Sequence, residues 1–238
     1  MSIPLLNIKN LSKKFGDKII LDKISFELYP EETLGIIGSS GSGKSVLLKC
    51  ILGLINKDKG DIIYDSHDHI GMLFQGGALF DSLTVWENVA FSLLYQQRIS
   101  KKYAKKIALE KLELVNLSKN VADLYPSETS GGMQKRIALA RAIANDPRII
   151  FFDEPTTGLD PIVSNHINEL MVQCVKKLKA SNIIITHDIH SLKKVADRVG
   201  LLFKGEMIWI GTIKDMETTD NPYIVQFING FKKGPFTD

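Results

Sequence analysis

The sequence predicts an α/β domain built on a largely parallel sheet with helices covering both faces. Three observations predict it. Strand-like runs at Thr33–Ile37, Arg148–Phe152 and Asn182–Thr186 alternate with helical periodicity in the first and last parts of the chain. A glycine-serine loop, Gly38–Gly43, separates the first of these runs from an apolar helix-like stretch. The 238 residues are 44% hydrophobic and 24% charged, globular values that exclude a disordered chain and suffice for one large or two small domains.

Taken in order, residues 3–30 read as short strands. Ile24, Phe26 and Leu28 alternate with Ser25, Glu27 and Tyr29, the period of a half-buried strand, and Phe15-Gly16-Asp17-Lys18 is a turn. A helix is expected from Lys44 to about Leu54. Residues 77–145 have a different texture and read as a helical insert. Val85–Tyr95 and Lys101–Val115 are its first helices. In the second, Ala104, Ile107, Ala108, Leu112 and Val115 share a face, with Lys101, Lys102, Lys105 and Lys106 largely opposite as a solvated face. A third helix starts after Ser130, with Met133, Ile137, Ala140 and Ala144 in register, and stops at Asn145-Asp146-Pro147. Pro161–Lys179 then carries Ile167, Leu170, Met171, Cys174, Val175 and Leu178 on one stripe. Val199–Phe203 and Met207–Ile210 read as a hairpin turning at Lys204-Gly205.

Composition removes several classes. Two cysteines, Cys50 and Cys174, both in apolar helix-like stretches, exclude a disulfide scaffold and a Cys-rich zinc module. They read as reduced core thiols of a cytosolic protein. The net charge is +3, and the basic residues are 25 Lys and only 5 Arg, scattered, a solvated surface rather than a nucleic-acid groove. No segment approaches the ~20 apolar residues that span a bilayer. Met1–Lys9 lacks the basic and apolar regions of a signal peptide. The expectation is a soluble, intracellular chain that reaches a membrane only through another subunit.

The chemistry begins at Gly38-Ser39-Ser40-Gly41-Ser42-Gly43-Lys44-Ser45, which fits the phosphate loop G-x-x-x-x-G-K-[ST] at every fixed position. Its glycines let backbone N–H groups face the phosphates of a nucleotide, Lys44 adds positive charge and Ser45 offers Mg²⁺ a hydroxyl. The apolar strand ending in Asp153 and Glu154 supplies the complementary half. Asp153 is expected to hold the metal through water and Glu154 to polarise the water that attacks the γ-phosphate. Adjacent strand residues point to opposite faces, which assigns the two acids separate jobs. Taken alone, a strand ending in two acids equally suits a helix cap. His187 follows the run Asn182–Thr186 and is expected at the same sheet edge, in contact with the γ-phosphate, although a lone His is more often structural. Gln75, just past a strand-like run, would complete the metal shell. Ser130-Gly131-Gly132 opens a helix and offers a hydroxyl and N–H groups to an anion. By itself it is a plain helix cap. Beside a phosphate loop it fits a head-to-tail pair of chains, each closing the other's nucleotide site.

In that order, the phosphate loop, Gln75, Ser130-Gly131-Gly132, Asp153-Glu154, Thr157-Gly158-Leu159-Asp160 and His187 resemble the ATPase subunit of ABC transporters. The resemblance covers nearly the whole chain. It implies a core with a mostly parallel sheet and an antiparallel β subdomain (residues 1–76 and 146–220), a helical subdomain (77–145) and a tail (221–238). It implies ATP and Mg²⁺ as cofactors, Phe15 stacked on adenine, Asp160 at a dimer interface, and Ser130 and Gly132 on the γ-phosphate held by the partner's Lys44. It also implies that the helical insert docks an integral membrane permease. More narrowly, Phe74–Phe80, Val85–Val89, Met133, Gln226–Gly230 and Gly234-Pro235-Phe236 resemble the Mla-type, mammalian-cell-entry-associated, phospholipid transport ATPases. That implies a homodimer on the cytoplasmic face of the inner membrane, with a periplasmic lipid-binding subunit and room for a small regulatory one. Two departures stand out. Thr129 replaces the usual Leu before the signature serine, and the chain ends at Asp238 where some relatives carry a longer tail that embraces the neighbouring ATPase. Rival readings are a small-solute importer and a soluble ABC ATPase acting on ribosomes or DNA. The second rival expects two nucleotide domains or a long coiled-coil insert.

Overall fold

The computed structural model describes residues 3–65 and 69–237. The last residue of the tail, Asp238, lies outside the described residues. The chain folds as two units. One takes both ends, up to Asp65 and from Ile183 onward; the other takes the stretch between, to Asn182.

The first unit starts with strands β1 (Leu6–Phe15) and β2 (Lys18–Leu28), which pair antiparallel with Leu6 opposite Leu28 and Ile8 opposite Phe26. Ile24, Phe26 and Leu28 are buried while Ser25 is exposed, as the alternation predicts. The register shifts after Ile8, where Asn10 takes a left-handed φ of 50°, and the bulge bends the strand. Strand β3 (Thr33–Ile37) is buried throughout and leads through the glycine-serine loop into α1 (Lys44–Ile51). The helix is one turn shorter than predicted because the Leu54 N–H turns back to the Lys49 carbonyl (2.9 Å) and closes the end. Strand β4 (Lys59–Tyr64), absent from the prediction, pairs with the free side of β1, Ile8 opposite Ile62. It is an edge strand with no buried residue, so no apolar alternation marked it.

In the second unit, β5 (Ile70–Leu73) is followed by α2 (Val85–Val89), α3 (Phe91–Tyr95), α4 (Lys101–Leu114) and α5 (Gly131–Ala142). Strand β6 (Ile149–Asp153) then pairs parallel with β5, Ile70 opposite Ile149 and Leu73 opposite Phe152. The single helix predicted for Val85–Tyr95 breaks at Ala90, whose φ and ψ are −85° and 8°. Helix α4 buries Ala104, Ala108 and Leu112 and exposes Lys101, Lys102 and Lys106, as expected. Helix α5 differs. Ile137, Ala138, Leu139, Ala140 and Ala142 are all buried, so it is packed round rather than on one stripe. Helix α6 (Pro161–Leu178) buries Ile167, Leu170, Met171, Cys174 and Val175 on the predicted face.

Strand β7 (Ser181–Ile185), buried throughout, carries the chain back into the first unit. After α7 (Ile189–Val195), strand β8 (Arg198–Phe203) runs parallel to β3, Leu34 opposite Arg198 and Ile37 opposite Leu201. The predicted hairpin to β9 (Glu206–Thr212) is present. Its turn residues Lys204 and Gly205 have φ of 46° and 85°, the left-handed pair that suits the twist of a two-residue hairpin. Helices α8 (Ile213–Thr218) and α9 (Pro222–Asn229) follow. The tail folds back on α9. The buried Gln226 side chain donates to the Phe231 carbonyl (3.0 Å) and accepts from the Phe236 N–H (2.9 Å). The Phe236 ring packs against Phe203, Tyr223 and Phe227. Cys50 and Cys174 are both free and buried, and burial pushes the Cys174 thiol up to about 11, so both are packing residues.

Candidate nucleotide site

In the first unit, β3 delivers its backbone directly into the loop Gly38–Gly43. A Cβ on Gly38 would stand 2.2 Å from the Leu202 carbonyl oxygen, so only glycine lets the loop lie this close to β8. The base of the loop is buried, while Ser40, Gly41 and Ser45 are exposed along its rim. The Lys44 ammonium donates to the Gly38 carbonyl (2.8 Å) and the Ser39 carbonyl (3.0 Å), which curls the side chain over the loop. The Ser42 N–H donates to Ser39 O (3.2 Å), and Ser42 Oγ is buried without a hydrogen-bond partner among the described residues. Gly43 is the residue from which α1 starts, and Ser45 stands in the helix's first turn.

The same unit holds Phe15 and His187. Phe15 ends β1 with its ring half exposed and the Lys13 ammonium 5.2 Å from the ring centre. At the end of β7 the Thr186 N–H donates to Ile36 O (3.3 Å). The two strands therefore finish level, one leading into Gly38 and the other into the exposed His187. Asp188 caps α7 by accepting from the Ser191 N–H (3.1 Å). Burial works to raise its pKa, but hydrogen bonds from Ser191 and His190 outweigh burial and hold the carboxyl below the usual range.

In the second unit, Asp153 is the last residue of β6, as the sequence requires of a residue at the carboxyl edge. Glu154 is not separated from it by the strand pleat. It leaves the strand in a left-handed conformation, φ 48°, which costs a non-glycine residue ~1–2 kcal/mol. The turn, rather than the pleat, directs its side chain. Thr157 holds that turn at two points: its N–H donates to Glu154 O (3.2 Å) and its Oγ1 to Glu154 Oε2 (3.0 Å). Asp160 caps α6, accepting from the N–H groups of Ile162 (2.9 Å) and Val163 (3.0 Å). Ser130 caps α5, accepting from the Met133 N–H (3.3 Å). Gly131 and Gly132 form its first turn. Gly131 is open to solvent, and a Cβ on Gly132 would meet Val163 of α6 at 3.5 Å. Thr129, the departure from the usual Leu, turns its hydroxyl to Pro126 O (2.7 Å).

Gln75 lies two residues past β5 with an exposed side chain. Its carbonyl accepts from the Lys135 ammonium of α5, and the Arg141 guanidinium, also on α5, donates to the carbonyls of Gly77 and Ala78. Burial lowers the pKa of both cations. The signature helix therefore grips the backbone around Gln75 with two desolvated charges. Sequence reasoning placed Lys135 inside the signature and passed over its role. The available signal was that Lys135, Leu139 and Ala142 are spaced i, i+4, i+7, which puts a cation in line with apolar residues. Arg141 carried no such signal, since an arginine near a helix end is ordinary there, and Thr157 was marked only as the start of the Thr157-Gly158-Leu159-Asp160 turn, with no sign of its contact to Glu154.

The loop fits a phosphate. It joins an unpartnered buried hydroxyl, a lysine resting on carbonyls and a helix start, a donor-rich set at one strand end. Among the described residues no three His, Cys, Asp or Glu side chains gather round a metal. Mg²⁺ bound with nucleotide needs no such cage, because phosphate oxygens and water fill most of its shell.

Known proteins agree. The chain is 36% identical to the intermembrane phospholipid transport system ATP-binding protein MlaF of Haemophilus influenzae, over 99% of this chain and 94% of that one. It is 35% identical to the probable ribonucleotide transport ATP-binding protein mkl of Mycobacterium leprae, over 97% and 70%. The sulfate/thiosulfate import ATP-binding protein CysA of Bradyrhizobium diazoefficiens is 37% identical, over 95% and 68%. The ATP-binding cassette MJ0796, in a dimeric post-hydrolysis structure with ADP and Pi, superposes with a TM-score of 0.78 at 31% identity, covering 87% of this chain and 98% of that one. The model of the ABC transporter family matches residues 21–157, more than half of the sequence, and the chain belongs to the ATP-hydrolysing subunits of that family.

Proposed function

We propose that this ATPase drives a transporter that moves phospholipid between the inner and outer membranes. The observation that carries the reading is the identity of 36% with MlaF along almost the entire length of both chains. The run Phe74–Phe80, the helix Val85–Val89 and the Gln226–Phe236 ending support it. In this reading Phe15 stacks on adenine. The loop Gly38–Ser45 wraps the phosphates, Lys44 neutralises them, and Ser45, Gln75 and Asp153 would hold Mg²⁺, whose charge would offset that of the phosphates. Glu154 takes the proton of the attacking water and His187 contacts the γ-phosphate. Ser130, Gly131 and Gly132 contact the nucleotide of a second copy, with Asp160 at the interface between copies.

Cargo is handled elsewhere. No helix among the described residues is long and apolar enough to cross a membrane. The chain works from the cytoplasmic face through a permease docked near Gln75 and α2, with a periplasmic lipid-binding subunit beyond it and room for a small regulatory one. The 37% identity with CysA favours the second reading, a small-solute importer. Purifying the native complex through a tag on this chain separates the two. Permease, periplasmic lipid-binding subunit and co-purified phospholipid are expected. A soluble solute-binding protein whose solute raises the ATPase rate would overturn the lipid reading and leave the ATPase intact.

A further inference from the structure

We infer that Thr157 is a positioning residue for hydrolysis, setting the orientation of the Glu154 carboxylate. The inference rests on the reading of Glu154 as the general base. Glu154 stands at the first residue after β6, where the chain turns with a positive φ. Thr157 reaches it twice. Its N–H fixes the Glu154 carbonyl, and its hydroxyl, 3.0 Å from Oε2, fixes the far end of the same residue. One residue thus holds Glu154 at both ends across a four-residue turn.

The hydroxyl donates to the carboxylate and transfers no proton. It pins one carboxylate oxygen in a fixed plane and so sets the direction of the other. In a site where a general base must meet a water within hydrogen-bond reach, loss of such a constraint lowers the fraction of productive encounters without touching the groups that bind ATP. A charge-assisted hydrogen bond of this kind corresponds to about a tenfold effect on rate.

Thr157→Val keeps the shape and removes the donor; Thr157→Ser keeps the donor and removes the methyl. The expected result is a kcat about tenfold lower for Thr157→Val, with KM for ATP and nucleotide affinity unchanged, and recovery to within about threefold of the parent for Thr157→Ser. Thr157→Ala, which introduces no new methyl, checks that a loss in Thr157→Val is not a packing fault. In a Glu154→Gln background, with phosphate release followed over hours, adding Thr157→Val should change nothing further. Unchanged kcat in Thr157→Val, a loss carried by KM, failure of serine to rescue, or a full additional loss on Glu154→Gln would each overturn the assignment. Normal turnover by Glu154→Gln itself marks the other failure, that of the general-base reading.

Discussion

Lys44 and Glu154 carry opposite charges, and their losses belong to different steps. In the proposed reading Lys44 neutralises phosphates in the ground state as well as during the reaction, so Lys44→Ala should weaken nucleotide binding. In the same reading Glu154 acts when the water loses its proton, so Glu154→Gln should bind ATP normally and lose ~10²–10⁴ in kcat. Bound nucleotide after rapid desalting and the rate of phosphate release, measured side by side, distinguish the two. The backbone predicts that the second substitution will be well tolerated. Glu154 already pays for a left-handed φ, and glutamine has the same shape and a carbonyl that still accepts from Thr157 Oγ1. Lys44 is different: its ammonium holds the carbonyls of Gly38 and Ser39, and alanine releases both.

Two helix starts in this chain, those of α2 and α8, are fastened by carboxylates in capping boxes, and that fastening is pH-dependent. At α2 the Thr84 N–H (2.9 Å) and hydroxyl (2.8 Å) both donate to Glu87, holding its carboxyl below the usual range. Thr212 does the same for Asp215 at α8, chiefly through its hydroxyl (2.7 Å). A carboxyl depressed on folding stabilises fully above its unfolded pKa, about 4.3 for Glu, and loses that stabilisation as pH falls through the folded value. Glu87→Gln should therefore cost about 1 kcal/mol at pH 7, and the gap to the parent should close as pH falls below about 4. Thermal midpoints across that range check it; a gap as wide at the acid end of the range as at pH 7 would show that charge is not what Glu87 contributes. The same helices show where sequence legibility ends. The long apolar stripe of α6 and the continuous apolar runs of β3, β6 and β7 were readable because burial demands apolar residues, on one face of the helix and on both faces of the strands. Helices α7, α8 and α9 have eight residues or fewer, so their caps at Asp188, Thr212 and Asn221 define them better than any period. Edge strand β4 buries nothing and left no pattern. The glycine loop, the strand end at Asp153 and the Ser130 cap were legible because close backbone approach, strand burial and helix capping each accept few residue types. The grip of Lys135 and Arg141 on the Gln75–Ala78 backbone was not, because carbonyl acceptors have no sequence signature.

At the scale of the whole molecule, the residues proposed for the nucleotide site divide between the units: Phe15, the phosphate loop and His187 in one, Gln75, Ser130, Asp153, Glu154 and Asp160 in the other. Ser130 caps its own helix through Oγ, and a hydroxyl that accepts from Met133 N–H still has its proton to donate to an anion. Gly131 beside it is open to solvent, so a phosphate from outside the chain can approach that N–H. With Lys44 of the same chain proposed for a phosphate, an anion contact at Ser130 would be best used on a nucleotide held by a second copy. The γ-phosphate would then be the group that joins two chains, and ADP, which lacks it, should not. With Glu154→Gln blocking hydrolysis, sedimentation should give a dimer with ATP and a monomer with ADP. Mixing Lys44→Ala chains with Ser130→Arg chains adds a test of which surfaces meet. In a head-to-tail pair, one of the two sites combines both substitutions and the other is intact, so the mixture should regain ATP-dependent association that neither variant shows alone. Purified permease, added in detergent, supplies the remaining control. A monomer with ATP, both alone and with the permease present, would contradict the head-to-tail arrangement while leaving each chain's own phosphate loop unaffected.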